Sequence, residues 1–295
     1  MTILGPYSGE RLTSLAQLDA ALNRAAEARN VSEHNFLESL GSFYLDLVPV
    51  NADPFSMDYK MHWYEVYEWL AGRPYVVANE FFDFDVPAHI KSPYPFCTQD
   101  FRIVSKQLMG IGKVIEVLAL PRGSKILEMG AGWGNTSLFL AQMGYDVTVV
   151  DINAKYGEVI NSRAQALNVN VKFKNMSYED AINLNEKFDC VLFFESFHHS
   201  FDPFALLNAL PKLIAEDGFL ALAGEPLYED LPYEWGLNLA GEALWQIRTH
   251  GWFELVFRES YLIRALLRAG FKVKKTELQG NAIGTTFICY PSVTF

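Results

Sequence analysis

The sequence has few cysteines, no long apolar run and a deficit of basic residues. Its three cysteines, Cys97, Cys190 and Cys289, are far apart and include no C-x-x-C pair. An odd number of isolated cysteines argues against a disulfide framework or a zinc knuckle. No apolar segment approaches the roughly 20 residues that span a bilayer. The N-terminus shows no basic stretch leading into an apolar one. We therefore expect no membrane insertion, no secretory leader and a reducing, cytoplasmic location.

The charge balance is acidic. The chain carries 24 Lys and Arg against 35 Asp and Glu, which gives a formal net charge of −11 at pH 7. Proteins that bind nucleic acids normally present a basic surface to the phosphate backbone, so we expect no nucleic-acid partner. Half of the 295 residues are hydrophobic and 14% are aromatic. That is enough apolar material for a packed core, and it excludes a disordered chain.

Two regions of the sequence differ in pattern. Residues 1–95 carry hydrophobic side chains at helical spacing in two segments, Gly9–Asn30 and Asp53–Leu70. They lack the alternation of strands and helices that follows. We expect this N-terminal helical region to cover a substrate or to form a homodimer surface. The second region, residues 96–295, is expected to form the catalytic domain.

Residues 96–295 alternate between strand and helix patterns. Seven strands are predicted, at Lys125–Met129, Asp146–Asp151, Val171–Lys174, Phe188–Phe194, Gly218–Ala223, Phe271–Lys275 and Thr285–Tyr290. Helices are predicted at Gln99–Leu118, Asn135–Gln142, Lys155–Ala166, Pro203–Ile214 and Glu259–Ala269. Short strands separated by helices predict an α/β fold with a mostly parallel sheet. Right-handed crossovers then give a doubly wound sheet with a ligand crevice at the carboxyl ends of its strands.

A glycine-rich turn is the most informative segment. The first predicted strand runs directly into Gly130–Gly134, and a helix follows. Glycines permit the unusual φ values of such a turn, and the helix N-terminus offers unpaired N–H groups to an anion. A dinucleotide fingerprint would place its third glycine, or an alanine, where this chain has Asn135. The spacing here, with Glu128 preceding the turn, instead suits the compact methionine end of a nucleoside. Asp151 ends the next strand, where a carboxylate accepts hydrogen bonds from ribose hydroxyls.

These motifs resemble those of a known family. ILEMGAGWG followed by VTVVDIN resembles the class I S-adenosylmethionine-dependent methyltransferases, and the similarity extends over residues 100–290. FESFHHSFDP is similar to the segment after the fourth strand, ending in His-x-x-Asp-Pro, that is common in small-molecule members. The resemblance implies a Rossmann-like fold and S-adenosylmethionine (SAM) as cofactor. It assigns cofactor contacts to Glu128, Gly130, Ala131, Gly132, Trp133, Gly134, Asp151, Ile152 and Glu195.

The adenine contact departs from the family pattern. Many members carry an Asp after the third strand that binds the adenine amino group, whereas this chain reads KNMSYED. The resemblance therefore implies that Met176, Ser177 or Tyr178 makes this contact, through its backbone, a hydroxyl or stacking.

Two histidines and a carboxylate are candidates for catalysis. His198 and His199 follow the fourth strand, near the expected position of the transferable methyl group. A histidine can take a proton from a hydroxyl near neutral pH, although one of the pair could simply pack beneath the cofactor. We expect His199 to be the base, with His198 or Glu225, after the fifth strand, as alternatives. The histidines with Glu195 and Glu225 could also hold a metal. No His pair at i, i+4 and no Cys ligand supports that, so we expect no metal.

Residues 227–257 depart from the strand and helix alternation and are rich in Tyr and Trp. An insertion of this kind above a strand-end crevice typically forms a lid, and aromatic faces stack on sugar rings or flat acceptors. We therefore expect Trp235, Arg248 and Trp252 to contact the substrate; the alternative is that the tryptophans pack the insertion onto the core. The segment also resembles methyltransferases of polysaccharide and sugar biosynthesis.

The predicted function is methyl transfer from SAM to an oxygen or nitrogen of a small-molecule or saccharide acceptor. The fourth strand is not followed by the Asn/Asp-Pro-Pro-Tyr motif of adenine-modifying enzymes, and no Pro-Cys dipeptide supplies a nucleophile for cytosine. Two alternatives are a catalytically silent SAM-binding subunit and an NAD-dependent oxidoreductase.

Overall fold

A computed structural model describes residues 7–48, 50–92 and 100–292, and Cys97 lies outside these ranges. Three segments contribute the secondary structure. The first contains β1 (Glu10–Leu12), α1 (Leu15–Arg29), α2 (Glu33–Leu40), β2 (Phe43–Leu45) and α3 (Met57–Ala71). The second contains α4 (Val86–Ile90), α5 (Phe101–Leu118), β3 (Lys125–Met129), α6 (Asn135–Gln142), β4 (Asp146–Asp151), α7 (Ala154–Leu167), β5 (Val171–Asn175), α8 (Tyr178–Ala181), β6 (Phe188–Phe194), α9 (Pro203–Ala209) and β7 (Ile214–Ala223). The third contains β8 (Trp235–Leu237), α10 (Gly241–Trp245), β9 (Leu255–Phe257), α11 (Glu259–Arg268), β10 (Phe271–Leu278) and β11 (Asn281–Pro291).

The chain divides into two compact units. Unit 1 consists of Met1–Phe81 and Pro226–Leu262, and unit 2 consists of Phe82–Glu225 and Ile263–Phe295. This division differs from the predicted one, because the N-terminal region ends earlier than residue 95. The segment predicted as a lid, 227–257, groups with the N-terminal region and not with the sheet. The substrate-covering, lid and dimer roles of these segments stay predictions.

Unit 1 is built around aromatic side chains on α3. Its helix begins where the Ser56 hydroxyl accepts the backbone N–H of Tyr59. Helical spacing then places Tyr59, Trp63 and Tyr67 on one buried face. Two short sheets complete the unit: β1 pairs with β2 in parallel, and β8 pairs with β9 in antiparallel fashion. The aromatic helix predicted here is therefore present.

Unit 2 contains, among the described residues, a seven-stranded sheet in the order β10-β11-β7-β6-β3-β4-β5. The pairings from β7 through β6, β3 and β4 to β5 are parallel, and β11 pairs in antiparallel fashion with both β7 and β10. The α/β fold with a mostly parallel sheet is thus confirmed. Strand β6 is almost wholly buried, as expected for a strand covered on both faces.

Strand bounds agree best for three strands that pair in parallel with a neighbour on each side. The predicted bounds of β3, β4 and β6 match the structure, whereas β7, β10 and β11 are longer than predicted. The β10–β11 hairpin accounts for part of this, because Leu278 pairs with Asn281 directly beside the turn. Cross-strand pairing thus extends strands into polar sequence that carries no alternating pattern.

None of the described helices is both long and apolar enough to cross a membrane.

Candidate functional site

The site lies where the chain order of the unit 2 sheet reverses. Strands β3 and β6 are neighbours in the sheet, although α6, β4, α7, β5 and α8 separate them in sequence. Connections therefore leave this pair in opposite directions, which opens a crevice at the carboxyl ends of the two strands. The predicted cofactor turn follows β3, and the predicted catalytic histidines follow β6. Sheet topology thus brings these two predicted groups to the same edge.

Each glycine of the turn after β3 has a positive φ: 74° at Gly130, 48° at Gly132 and 73° at Gly134. A Cβ at Gly130 would overlap the Tyr178 hydroxyl, and one at Gly134 would overlap the Ile160 side chain. At Gly132 a Cβ would meet nothing within 4 Å. The turn is therefore packed at both ends and open at its middle glycine, where its backbone can approach a ligand.

Asp151 links the glycine turn to the end of β4. Its Oδ2 accepts the Gly132 N–H at 3.0 Å, and its Oδ1 accepts the Asn153 N–H at 2.9 Å. Burial raises the pKa of Asp151 to about 6. The side-chain amide of Asn175 donates to the Asp151 carbonyl oxygen at 3.0 Å, which holds the end of β4 from the neighbouring strand. A carboxylate thus lies beside the open part of the turn.

Glu128 supports the turn from within the core. Its side chain is buried, and the Ser137 hydroxyl on α6 donates to its Oε2. Burial raises the pKa of Glu128 to about 8, and the nearby charge of Asp151 contributes to the rise. Its contact with the first turns of α6 fixes the helix whose N-terminus follows the glycines.

Glu225 accepts hydrogen bonds from the loop after β6. Its Oε1 accepts the backbone N–H groups of Ser196 and Phe197, at 3.2 and 3.0 Å. Its Oε2 accepts the His198 backbone N–H at 3.0 Å and lies 2.8 Å from His198 Nδ1. The Glu225 side chain is only 1% exposed. Both carboxylate oxygens are therefore engaged in holding this loop and one imidazole.

The two predicted histidines have different surroundings. The His198 side chain is 13% exposed, and its Nδ1 faces the Glu225 carboxylate, so that nitrogen carries the proton. The other ring nitrogen, Nε2, is then the acceptor. The His199 ring lies 4.4 Å from that of His198, centroid to centroid, and its backbone N–H donates to the Ser196 carbonyl oxygen. The contact with Glu225 distinguishes His198 from His199, which the sequence analysis placed first, and the catalytic role of either histidine stays a prediction.

Glu195 occupies an unusual backbone conformation at the end of β6. Its φ is 51°, which is uncommon for a residue with a side chain. The carbonyl oxygen of Ala223 accepts its backbone N–H at 2.8 Å, and a Cβ at Gly224 would overlap its side chain. Its carboxylate lies 3.5 Å from the side-chain nitrogen of Gln107 on α5. Strain of this kind is tolerated where the surroundings fix the residue, often at functional sites.

Two of the three candidates for adenine contact have structural contacts. The Ser177 hydroxyl accepts the Asp180 N–H at 3.1 Å and so begins α8. The Tyr178 hydroxyl donates to the Ser196 carbonyl oxygen at 3.0 Å, beside Gly130. Met176 is half-buried, and its backbone N–H donates to the Asp151 carbonyl oxygen at 3.1 Å. We therefore keep Met176 as the candidate whose side chain is not engaged in a cap or a loop contact.

The indole of Trp133 packs into an aromatic cluster. It stacks on the His89 ring with centroids 4.0 Å apart and planes 7° apart, and it meets Phe84 and Tyr156 edge to face. The Trp133 carbonyl oxygen accepts a hydrogen bond from Arg163. The cofactor contact of Trp133 stays a prediction.

The three predicted substrate residues belong to unit 1 and have structural contacts there. The Arg248 guanidinium pairs with Asp19 at 2.9 and 3.1 Å. The Trp235 indole N–H donates to the Pro54 carbonyl oxygen at 2.7 Å. Trp252 is buried, with its ring 5.4 Å from that of His250. These contacts agree with the alternative that the segment is held by packing.

Sequence analysis did not identify Gln107, Asn153 or Arg163 as site residues. Asn153 begins α7 by accepting the Lys155 N–H at 3.1 Å, and an Asn just after a strand end is a recognisable helix-start signal. Gln107 and Arg163 are single polar residues on amphipathic helices. No local pattern distinguishes them from solvent-exposed positions.

Part of the chain is similar to known methyltransferases. The sequence model of a methyltransferase domain family matches residues 104–276. A ubiquinone biosynthesis O-methyltransferase of Cereibacter sphaeroides is 27% identical over 140 residues, 46% of this chain and 55% of that protein. The enzyme of the same name from Xanthomonas campestris is 32% identical over 107 residues, 36% of this chain and 44% of that protein. The chain thus spans about half the length of these relatives.

A solved structure shares the fold. The crystal structure of coclaurine N-methyltransferase, bound to N-methylheliamine and SAH, superposes with a TM-score of 0.52. It is 16% identical in sequence, and the match covers 78% of this chain and 70% of that one.

The chain belongs to the methyltransferase domain family. The predicted resemblance to the class I SAM-dependent methyltransferases is thereby confirmed, with SAM as the cofactor of the family. The residues present fit that cofactor. The turn is open at Gly132, and the carboxylate of Asp151 lies directly beside it. Asp151 offers an acceptor for the ribose hydroxyls of such a cofactor. The backbone N–H groups of Gly130, Gly132 and Gly134 already donate within the protein, to Val150, Asp151 and Ala131.

Proposed function

We propose that the protein methylates a hydroxyl oxygen of a small molecule, with His198 as the general base. The observation that carries the proposal is the contact between His198 Nδ1 and the buried Glu225 carboxylate. The relatives' printed activity, O-methyl transfer in ubiquinone biosynthesis, supports oxygen as the acceptor atom. A silent subunit and an NAD-dependent oxidoreductase are not favoured by these observations.

His198 and Glu225 have separate roles in the proposed reaction. Bound SAM supplies a methyl group activated by its positively charged sulfur. With Nδ1 donating to Glu225, Nε2 is the nitrogen of a neutral His198 ring that can accept the hydroxyl proton of the acceptor. The Glu225 carboxylate then compensates the positive charge that the imidazole acquires, as the carboxylate of a catalytic triad does. Since the other hydrogen bonds of Glu225 go to backbone N–H groups, we assign it as a positioning residue.

The cofactor is held by the chain after β3 and β4. We assign the methionine end to the backbone of Gly130–Gly134 and the ribose hydroxyls to Asp151. The backbone of Ile152 and the side chain of Met176 are assigned to the adenine. Glu128 acts indirectly, because it fixes α6 behind the turn.

An aromatic hydroxyl is the favoured acceptor. A phenol ionises near pH 10, as the tyrosine side chain does, so it yields its proton to a histidine more readily than a sugar hydroxyl. The predicted saccharide acceptor stays an alternative, and so does transfer to nitrogen.

The test is a product assay with SAM and two sets of acceptors, dihydroxylated benzoates and simple sugars or nucleotide sugars. We expect an O-methylated phenol and one equivalent of S-adenosylhomocysteine (SAH). Methylation of the sugars alone would move the acceptor class to saccharides. Tight SAH binding without any product would support the silent subunit instead.

A further inference from the structure

A row of side-chain hydrogen bonds crosses behind the glycine turn of unit 2. An Arg163 N–H donates to the Asn135 side-chain oxygen at 2.8 Å. The Asn135 amide nitrogen donates to the Gln107 side-chain oxygen at 3.2 Å. The Gln107 amide nitrogen in turn lies 3.5 Å from the Glu195 carboxylate. The row joins α7, α6 and α5 to the strained residue at the end of β6.

This row has a fixed direction. A guanidinium can only donate, and a carboxylate can only accept. With Arg163 at one end, the Asn135 oxygen must face it and the Asn135 nitrogen must face Gln107. The Gln107 nitrogen must then face Glu195. Two amides that could each be turned either way are therefore held in one orientation by charges at the two ends.

Arg163 is well placed to set that direction. Its second contact is the Trp133 carbonyl oxygen at 2.9 Å, within the glycine turn. It forms no ion pair with any residue that the structure describes, and burial lowers its pKa. Its charge is therefore offset by carbonyl and amide dipoles, beginning with that of Asn135.

The other end of the row reaches the crevice. The Gln107–Glu195 separation of 3.5 Å is the longest in the row and at the limit of a hydrogen bond. It is therefore the link that a ligand group can replace at least cost. The methionine end of SAM carries an ammonium and a carboxylate. Glu195 is a suitable acceptor for the first, and an amide N–H of Gln107 is a suitable donor for the second.

We propose that Gln107 binds the carboxylate of the cofactor's amino-acid end. Asn135 and Arg163 are positioning residues that keep the Gln107 N–H groups directed toward it. The inference rests on the cofactor of the proposed function but not on the acceptor or the base.

The test compares two ligands and two variants. SAH carries the amino-acid end, whereas 5′-methylthioadenosine lacks it but keeps the nucleoside. Asn135→Asp removes the side-chain donor and places a carboxylate against Arg163, so Gln107 must reverse its amide and turn its oxygen toward Glu195. Gln107→Leu removes the donor directly. We expect each variant to lose about tenfold or more in SAH affinity, the value of one charge-assisted hydrogen bond, with methylthioadenosine affinity unchanged.

The control is Asn208→Asp, which adds the same charge at an exposed position of α9. It should alter neither affinity. An equal loss of both ligands in Asn135→Asp and Gln107→Leu would show a general disturbance of the turn and overturn the proposal, as would unchanged SAH affinity. A wild type that binds SAH selectively yet forms no methylated product would contradict the proposed function and leave this inference standing.

Discussion

Units 1 and 2 both bury polar groups, but the two units differ in the kind of group that they bury and in its contacts. In unit 1 the buried Tyr59 hydroxyl donates to the Trp235 carbonyl oxygen at 2.8 Å and accepts its N–H at 3.3 Å. In unit 2, Asp151 and Glu128 are buried carboxyls whose pKa values are raised by desolvation to about 6 and about 8. Unit 1 therefore uses its polar groups to fix its own structure.

Unit 2 retains carboxyl groups at positions that penalise their charged forms. Groups with perturbed pKa values that lie together in a crevice are characteristic of functional sites. The raised pKa values of Asp151 and Glu128, beside the glycine turn, support placing the cofactor in unit 2. Variants of unit 2 and of unit 1 can test this assignment.

The largest effect is expected for His198→Asn. The shorter amide can still donate to Glu225 from nearly the position of Nδ1, but it lacks the acceptor that Nε2 provides. Turnover should fall by about 10²–10⁴-fold, the usual contribution of a general base. SAH affinity should stay near that of the wild type. Turnover and isothermal titration with SAH measure the two quantities.

His199→Asn is the matched comparison, since it makes the same change in the next residue. Its loss of turnover should be smaller. A larger loss in His199→Asn than in His198→Asn would restore His199, the residue favoured by sequence analysis, as the base. A loss of SAH affinity in both variants would move the histidines from catalysis to cofactor binding.

An intermediate effect is expected from the titration of Asp151. The ionised carboxylate is the form that accepts both ribose hydroxyls, so binding must shift its pKa down from about 6. SAH affinity should therefore be constant above pH 6 and fall about tenfold per pH unit below it. Glu128 would instead produce a change near pH 8.

Titration calorimetry from pH 5 to pH 9 separates these two carboxyls. Asp151→Asn should bind more weakly and show no change of slope near pH 6. If the slope persists in Asp151→Asn, another group controls it and the ribose assignment loses its support.

The fold of unit 2 could be predicted from sequence because its signals are local. Three of its strands are apolar runs that end at glycines or acids, and their predicted bounds were correct. The signals for the cofactor turn and for Asp151 are also local. The turn has positive φ at Gly130, Gly132 and Gly134, a conformation that favours glycine, and Asp151 stands at the end of a predicted strand.

The rest depends on contacts that are distant in sequence. The proposal of His198 over His199 rests on its contact with Glu225, 27 residues away in the sequence. Sequence analysis predicts Arg248 as a substrate residue. Its partner, Asp19, is 229 residues away, so the pairing cannot be recognised from sequence. Single-sequence patterns do not encode such pairings. They can identify the residue types of a site but not which of them are already occupied.

The smallest effect is expected for Arg248→Met, which keeps the length of the side chain and removes its charge. Arg248 and Asp19 are partly exposed, so the pair should contribute roughly 0.2–1 kcal/mol to stability. Asp19→Asn should cost a similar amount, and the double variant should cost less than the sum. KM for the acceptor should not change, because the guanidinium is engaged within unit 1. Thermal unfolding and steady-state kinetics on the three variants measure this. A raised KM in Arg248→Met alone, with no loss of stability, would return Arg248 to the substrate site and break the division of roles between the two units.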